Sequence, residues 1–166
     1  MKGSKFLLSA VAAKLVAAYK AQIEEYQTLG AKPLELGISD NAPSTYEALC
    51  EEAKQGKLTV TSEFSNTAIY GIAGNVTFRV FHDFGHLIYN KEFTTRDEVD
   101  LAKTQWHDIK LRIEPEWREL ANVVYTADTV LQSQYEAEHG KFPEDQKAFV
   151  LERLNNYLML KDHFKL

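Results

Sequence analysis

His82 and His86 sit four residues apart in "FHDFGHLIYNKEFTTRDE", Phe81 to Glu98, the most apolar neighbourhood of a 166-residue chain. Helical spacing, about 100° per residue, puts the two imidazoles some 40° apart on one face, the arrangement of a two-histidine metal clip. Asp83 falls about 100° from His82 and about 60° from His86, so all three can point into one pocket. Val76, Phe78, Val80, Phe81, Phe84, Leu87, Ile88 and Tyr89 surround them almost completely, which marks a buried helix. Unpartnered polar groups in such a place cost about 1–3 kcal/mol each, so the position demands either a metal or a dense hydrogen-bond network.

Glu98 is the natural further ligand. Thr95, with Glu98 three residues on, forms a capping box that starts the next helix, and a short loop lets that helix fold back and turn the carboxylate toward the histidines. Gln105 lies two turns further on the same face, placed to hydrogen-bond the site or a substrate. His107 points to the opposite side, and Glu92, in the loop, is a weaker competitor for the ligand position. Two imidazoles with a carboxylate suit zinc, with iron and manganese as alternatives, and three protein ligands leave the open position of a catalytic site. Asp83 then has three candidate tasks: ligand, orienter of a histidine, or general base toward metal-bound water. The plain alternative is a pair of ordinary hydrogen-bonded histidines.

A second polar position lies far along the chain. Asp128 sits within the apolar run Val123, Val124, Val130 and Leu131, with Gln132 one turn on and Tyr125 one turn back. From there it can reach the site as a ligand or as a partner behind the ligands, Gln132 beside it; otherwise it is a capped or half-exposed acid on a helix edge.

The elements that must position these groups read as helices. The first runs from about Ser4 to Thr28 and stops at Gly30 and Pro33, on a pattern of Phe6, Leu7, Ala10, Leu15, Ala18, Ile23 and Tyr26. Ser44 with Glu47 is a capping box for a short second helix to about Gln55. Thr, Val and Ile with turn residues around 58–73 predict a short hairpin or an irregular segment. A third helix runs from Asn75 as N-cap to about Asn90, a fourth from Thr95 to about Ile113, a fifth from Pro115 to Gly140 and a sixth from Pro143 to about Leu160. Six helices with short connections predict an all-α, single-domain bundle covering residues 1–166.

Composition narrows the partners. With 24 acidic against 19 basic residues and no basic run, a nucleic-acid partner is not expected; a small-molecule ligand or a protein partner is. A lone Cys50 cannot close an internal disulfide, which fits a reducing, cytoplasmic setting. "MKGSKFLLSAVAAKLVAAYK" shares a basic start and absence of early acids with signal and organellar presequences. Lys14 and Lys20 interrupt it and the helical pattern continues beyond, so an amphipathic helix is expected, and no transmembrane segment.

His82-Asp83-x-x-His86, eleven residues, then Glu98 resembles the signature of the coenzyme Q biosynthesis family, H-D-x-x-H, eleven residues, E. Phe84 between Asp83 and His86 and Arg79 ahead of His82 are similar to that family's neighbours, whereas Asp97 stands where it usually has Gly. The resemblance implies an all-helical fold, a metal usually taken as zinc on His82, Asp83, His86 and Glu98, and a role near oxidative decarboxylation of a hydrophobic quinone precursor. A second comparison is with zinc peptidases reading H-E-x-x-H, where Asp83 stands in the place of the general base. Phosphohydrolases with an HD dyad need a histidine upstream, and none precedes His82. The expectation is therefore a metal-binding helical protein. Its enzymatic form would be a lyase, decarboxylase-like or hydrolytic activity on a small hydrophobic or ring-containing substrate. Its alternative is a non-catalytic, metal-stabilised interaction protein, a cellular scaffold or a virus-encoded accessory factor.

Overall fold

A computed structural model of the protein describes residues 2–164, and it is all-α apart from one short pair of strands. Helix α1 (Lys2–Gln27) turns Leu8, Val11, Leu15, Ala18, Tyr19 and Tyr26 inward at intervals of three and four. Leu15, Ala18 and Tyr26 of the predicted face are buried; at its start Phe6 is exposed and Leu8 takes the inward position. By length and composition Gly3–Gln27 is long and apolar enough to cross a membrane; here its apolar stripe is the spine of the domain core.

Strand β1 (Glu35–Ile38) and strand β2 (Lys57–Val60) pair in parallel, Leu36 opposite Leu58, with helix α2 (Tyr46–Lys54) as the crossover between them. No hairpin forms at 58–73. A parallel partner must come from across a helix, and β1, the partner of β2, went unread because "ELGI" is too short for its periodicity to show. The α2 cap is Thr45, whose hydroxyl accepts from Ala48 N at 3.2 Å, in place of Ser44.

Helix α3 (Gly71–Tyr89) crosses the middle of the molecule and packs on α1, and helix α4 (Thr95–Ile109) folds back along it, followed by a single 3₁₀ turn to Arg112. α3 begins a turn earlier than predicted, and Asn75 is no cap: it is buried, its amide donating to Ser65 Oγ at 2.9 Å to tie the helix to the loop after β2. Pro115 opens α5 (Pro115–Thr126), which passes through a π-helical turn (Ala127–Leu131) into α6 (Gln132–His139) as one continuous rod ending at Gly140, φ +72°. Helix α7 (Gln146–Phe164) starts three residues after Pro143 and closes the bundle against α1 and α5. Six helical rods thus stand among the described residues. Their shared core runs through Tyr19, Phe81, Ile109, Val124, Val150 and Leu154.

Candidate metal centre

Each histidine is oriented by its back nitrogen. At the end of α3, Asn90 takes a left-handed conformation, φ 50°, and the reversed chain brings the Lys91 carbonyl over His86, whose Nδ1 donates to it at 2.7 Å. A carbonyl can only accept, so Nδ1 carries the proton and Nε2 presents a lone pair. His82 Nδ1 faces Gln105 Oε1 at 3.3 Å. The Gln105 amide is held that way round because its Nε2 donates to the Phe81 carbonyl at 2.8 Å. Gln105 is fully buried against α3 only because residue 85 is glycine, where a Cβ would lie 2.3 Å from the Gln105 nitrogen. With the Gln105 oxygen turned to His82 Nδ1, the same tautomer follows.

Glu98 arrives from α4. The helix is capped by Thr94, which accepts from Asp97 N at 3.2 Å, while the Asp97 carboxylate accepts from Glu92 N at 3.0 Å. The cap is Thr94, one residue before the predicted Thr95. That shift frees the Glu98 carboxylate, which could not reach back to a cap and forward to the histidines at once. Its Oε2 lies 2.8 Å from His82 Nε2 and its Oε1 3.3 Å from His86 Nε2, and the two Nε2 atoms are 3.1 Å apart.

Two lone pairs and a carboxylate therefore converge, with ligand atoms mutually within 4.8 Å. Three acceptors this close repel unless a cation sits among them, either a proton on one imidazole or a metal ion. The group has the geometry to hold a metal. Burial by itself would lower the His82 imidazolium, but the adjacent Glu98 carboxylate outweighs it and the net displacement is upward. Burial likewise opposes the Glu98 carboxylate, yet the two imidazoles hold it well below the usual range. His86 is sealed on its α3 side and meets Phe93 edge-on at 4.6 Å, while Glu98 keeps 24% of its side chain accessible.

That access opens into a cavity of about 1000 Å³, walled by α3, α4, the π turn and the loops at 64–67 and 141–146. Asp83 lines it but stands outside the three-residue group, so the four-ligand set implied by the motif resemblance reduces here to His82, His86 and Glu98. Burial pushes the Asp83 carboxyl up to about 6, against the pull of His82, His86 and Arg79. Arg79 itself is held by the Thr61 and Glu63 carbonyls.

Asp128 and Gln132 line the same cavity further along, Gln132 Nε2 donating to Asp128 Oδ1 at 3.0 Å. They are brought in by the π turn, where Thr129 Oγ1 donates to the Tyr125 carbonyl at 2.7 Å and the ladder widens. Asp128 stands outside the ligand group and is part-buried on the cavity wall. Burial raises its carboxyl to about 7, opposed by the neighbouring Tyr70 hydroxyl and Gln132 amide. Sequence reasoning missed Tyr70, Lys91 and Phe93. The Lys91 contribution is a backbone carbonyl and leaves no residue-type signal; Asn90, suited to a left-handed cap, was the available clue. Glu92 is exposed and His107 lies on the surface beside Lys110, neither of them in the group. Comparison with protein-family models, with curated proteins and with solved structures finds no match.

Proposed function

We propose that this chain holds one divalent transition metal, zinc in the first instance, on His82 Nε2, His86 Nε2 and the Glu98 carboxylate, and uses it on a small molecule admitted through the cavity. The observation that carries this reading is the fixed tautomer of both histidines: their Nδ1 atoms are committed to Lys91 and Gln105, so both Nε2 lone pairs face Glu98 with no donor between them. A bound zinc would act there as a Lewis acid and water activator. Asp83, on the cavity wall one residue from a ligand, is placed to take a proton from a nucleophile or to orient it. Phe78, stacked on His82 at 5.6 Å, offers a flat wall to a hydrophobic or ring-containing substrate, including the quinone-precursor type that the motif resemblance implies. Accessibility of Glu98 from the cavity favours a working site over a sealed, purely structural one.

Metal content is the first test. Purified protein should carry close to one zinc per chain, and the double variant His82→Ala with His86→Ala should carry none; equal, negligible metal in both overturns the site. Enzyme and binder then separate on zinc-loaded Asp83→Asn. If Asp83 is the base, the variant keeps metal and fold but loses about 10²-fold or more of the zinc-dependent hydrolysis of p-nitrophenyl acetate. Rates equal to the zinc-free protein in both forms would leave the non-catalytic, metal-stabilised reading.

A further inference from the structure

The far end of the cavity carries a carboxylate that the metal does not need. Asp128 is two aromatic rungs from the metal centre: His82 stacks on Phe78 at 5.6 Å, Phe78 stacks on Tyr70 at 5.7 Å, and the Tyr70 hydroxyl lies beside Asp128. The side chains that hydrogen-bond it are neutral, the Gln132 amide and the Tyr70 hydroxyl, and no lysine or arginine among the described residues forms an ion pair with it. The two cations that line the cavity are engaged elsewhere, Arg79 on two carbonyls and Lys141 on Glu144 at 2.9 Å. The remaining wall charges, Asp83 and Glu136, are also acidic, so an anionic ligand has no free countercharge away from the metal.

A helix does not bring this acid to the cavity by default. The π insertion widens the ladder at residues 127–131 and puts Asp128, Thr129 and Gln132 on the cavity side together. π insertions sacrifice regular hydrogen bonding and recur where a side chain must be aimed. The same cavity is lined by aromatic side chains that are not buried, Phe64, 79% exposed, and Phe142, 52% exposed. Phe64 is held at φ +56°, a left-handed conformation that a bulky residue rarely adopts, with Gln146 Nε2 donating to its carbonyl at 3.4 Å. A lone carboxylate at the end of an aromatic wall, inside a cavity of drug-like size, is the chemistry that recognises an ammonium group carried on an apolar body.

We infer that the cavity takes a small organic cation, a primary or secondary amine on an aromatic or aliphatic body. The nitrogen sits at Asp128 within reach of Gln132, the body lies along Phe78, and the remainder of the molecule faces the His82, His86 and Glu98 group. The seat of the nitrogen stands on its own; that the other end meets a metal rests on the function proposed above.

The test uses benzylamine, benzyl alcohol and benzoate as probes of one shape and three charges, titrated into the full-length protein and followed by NMR. Benzylamine should bind about tenfold or more tighter than benzyl alcohol, the range of a charge-assisted contact over an aromatic wall, and benzoate weakest in the zinc-free protein. Asp128→Asn should erase the difference between the amine and the alcohol while the alcohol's own affinity stays put. In the wild type, the benzylamine methylene should give nuclear Overhauser contacts to the Gln132 amide and its ring to Phe78, a readout that does not depend on how well the variant folds. Equal binding of amine and alcohol, a preference that survives Asp128→Asn, or contacts elsewhere on the surface would each overturn the assignment. The same preference should persist in the His82→Ala, His86→Ala protein. Loss of metal there with the amine preference intact separates failure of the metal reading from failure of this one.

Discussion

Helix α4 presents two carboxylates to α3, and they live in opposite surroundings. Asp108 Oδ2 receives the hydroxyls of Tyr26 and Tyr89, the second at 2.7 Å, so one acceptor meets two donors. Glu98, almost three turns earlier, meets two imidazole lone pairs, so three acceptors meet no donor of their own. The Asp108 cluster is complete as it stands and pins α1, α3 and α4 together. The Glu98 cluster is complete only with a cation. Burial and the presence of an acid are shared by both; the direction in which each partner's proton points tells a fastening from a site.

Removing each carboxylate should break the comparison in opposite ways. Glu98→Ala should lower zinc affinity by 100-fold or more, about 3 kcal/mol at roughly 1.4 kcal/mol per tenfold, and lower the melting temperature of the metal-free protein less than Asp108→Ala does, by no more than its pairing with His82 contributes. Asp108→Ala should do the reverse, keeping zinc affinity while costing about 2–3 kcal/mol of stability, because two phenolic donors lose their acceptor, one of them on a Tyr26 that is 3% exposed. Competition with a chromophoric chelator and denaturant unfolding read the two quantities separately. Equal zinc loss in both variants would mean that Asp108 acts on the metal through the α3 and α4 contact, and the division drawn here would fail.

A smaller effect should come from the spacer between the helices. Gly85→Ala places a methyl against Gln105, whose nitrogen and carbonyl carbon would lie 2.3 and 2.5 Å from it, and against Leu101 at 2.9 Å. Overpacking of that kind costs about 1–3 kcal/mol. Since Gln105 holds the His82 tautomer, zinc affinity should also drop, by about 10-fold to 100-fold as is usual for groups behind a ligand. A variant that loses stability and keeps full zinc affinity would remove Gln105 from the account.

The helix content and the pairing of His82, His86 and Glu98 were legible because both rest on local spacing: the 3.6-residue period and a loop too short to send α4 anywhere but back along α3. What escaped depended on choices between near-equal local options or on distant chain. Thr94 and Thr95 are equally good caps, and the contact of Asp97 with Glu92 decides between them only once the loop is folded. Asn75 looks like a cap in sequence, yet its partner Ser65 belongs to a loop whose course is set by β2 pairing with a strand beyond a helix. The π turn has no periodic signature either, since it adds one residue to a helix whose apolar stripe continues on both sides. Asp128 was therefore suspected as a buried acid, and its place at the far end of the cavity emerged only from the fold.

The gentlest probe of the comparison is pH. In the metal-free protein His82 is displaced upward, so the stability its pairing with Glu98 contributes is full below the ordinary histidine value and is lost as pH rises through the raised one. Glu98 is displaced downward, so its share is present above the ordinary carboxylate range and is lost as pH falls through the depressed value. The pair thus helps the metal-free fold between those limits. Zinc needs the His82 lone pair and must displace that proton, so its affinity should climb about tenfold per pH unit up to the raised His82 value and then level off. Glu98, ionised throughout that interval, should add nothing to the slope. The Asp108 cluster should be silent there, since burial and the Asp108 contact hold the Tyr89 hydroxyl up at about 12 and displace Tyr26 further still. Zinc affinity independent of pH from 6 to 8 would show that no proton leaves His82 on binding, and with it the idea that proton and metal compete for one place between two lone pairs and a carboxylate would fall.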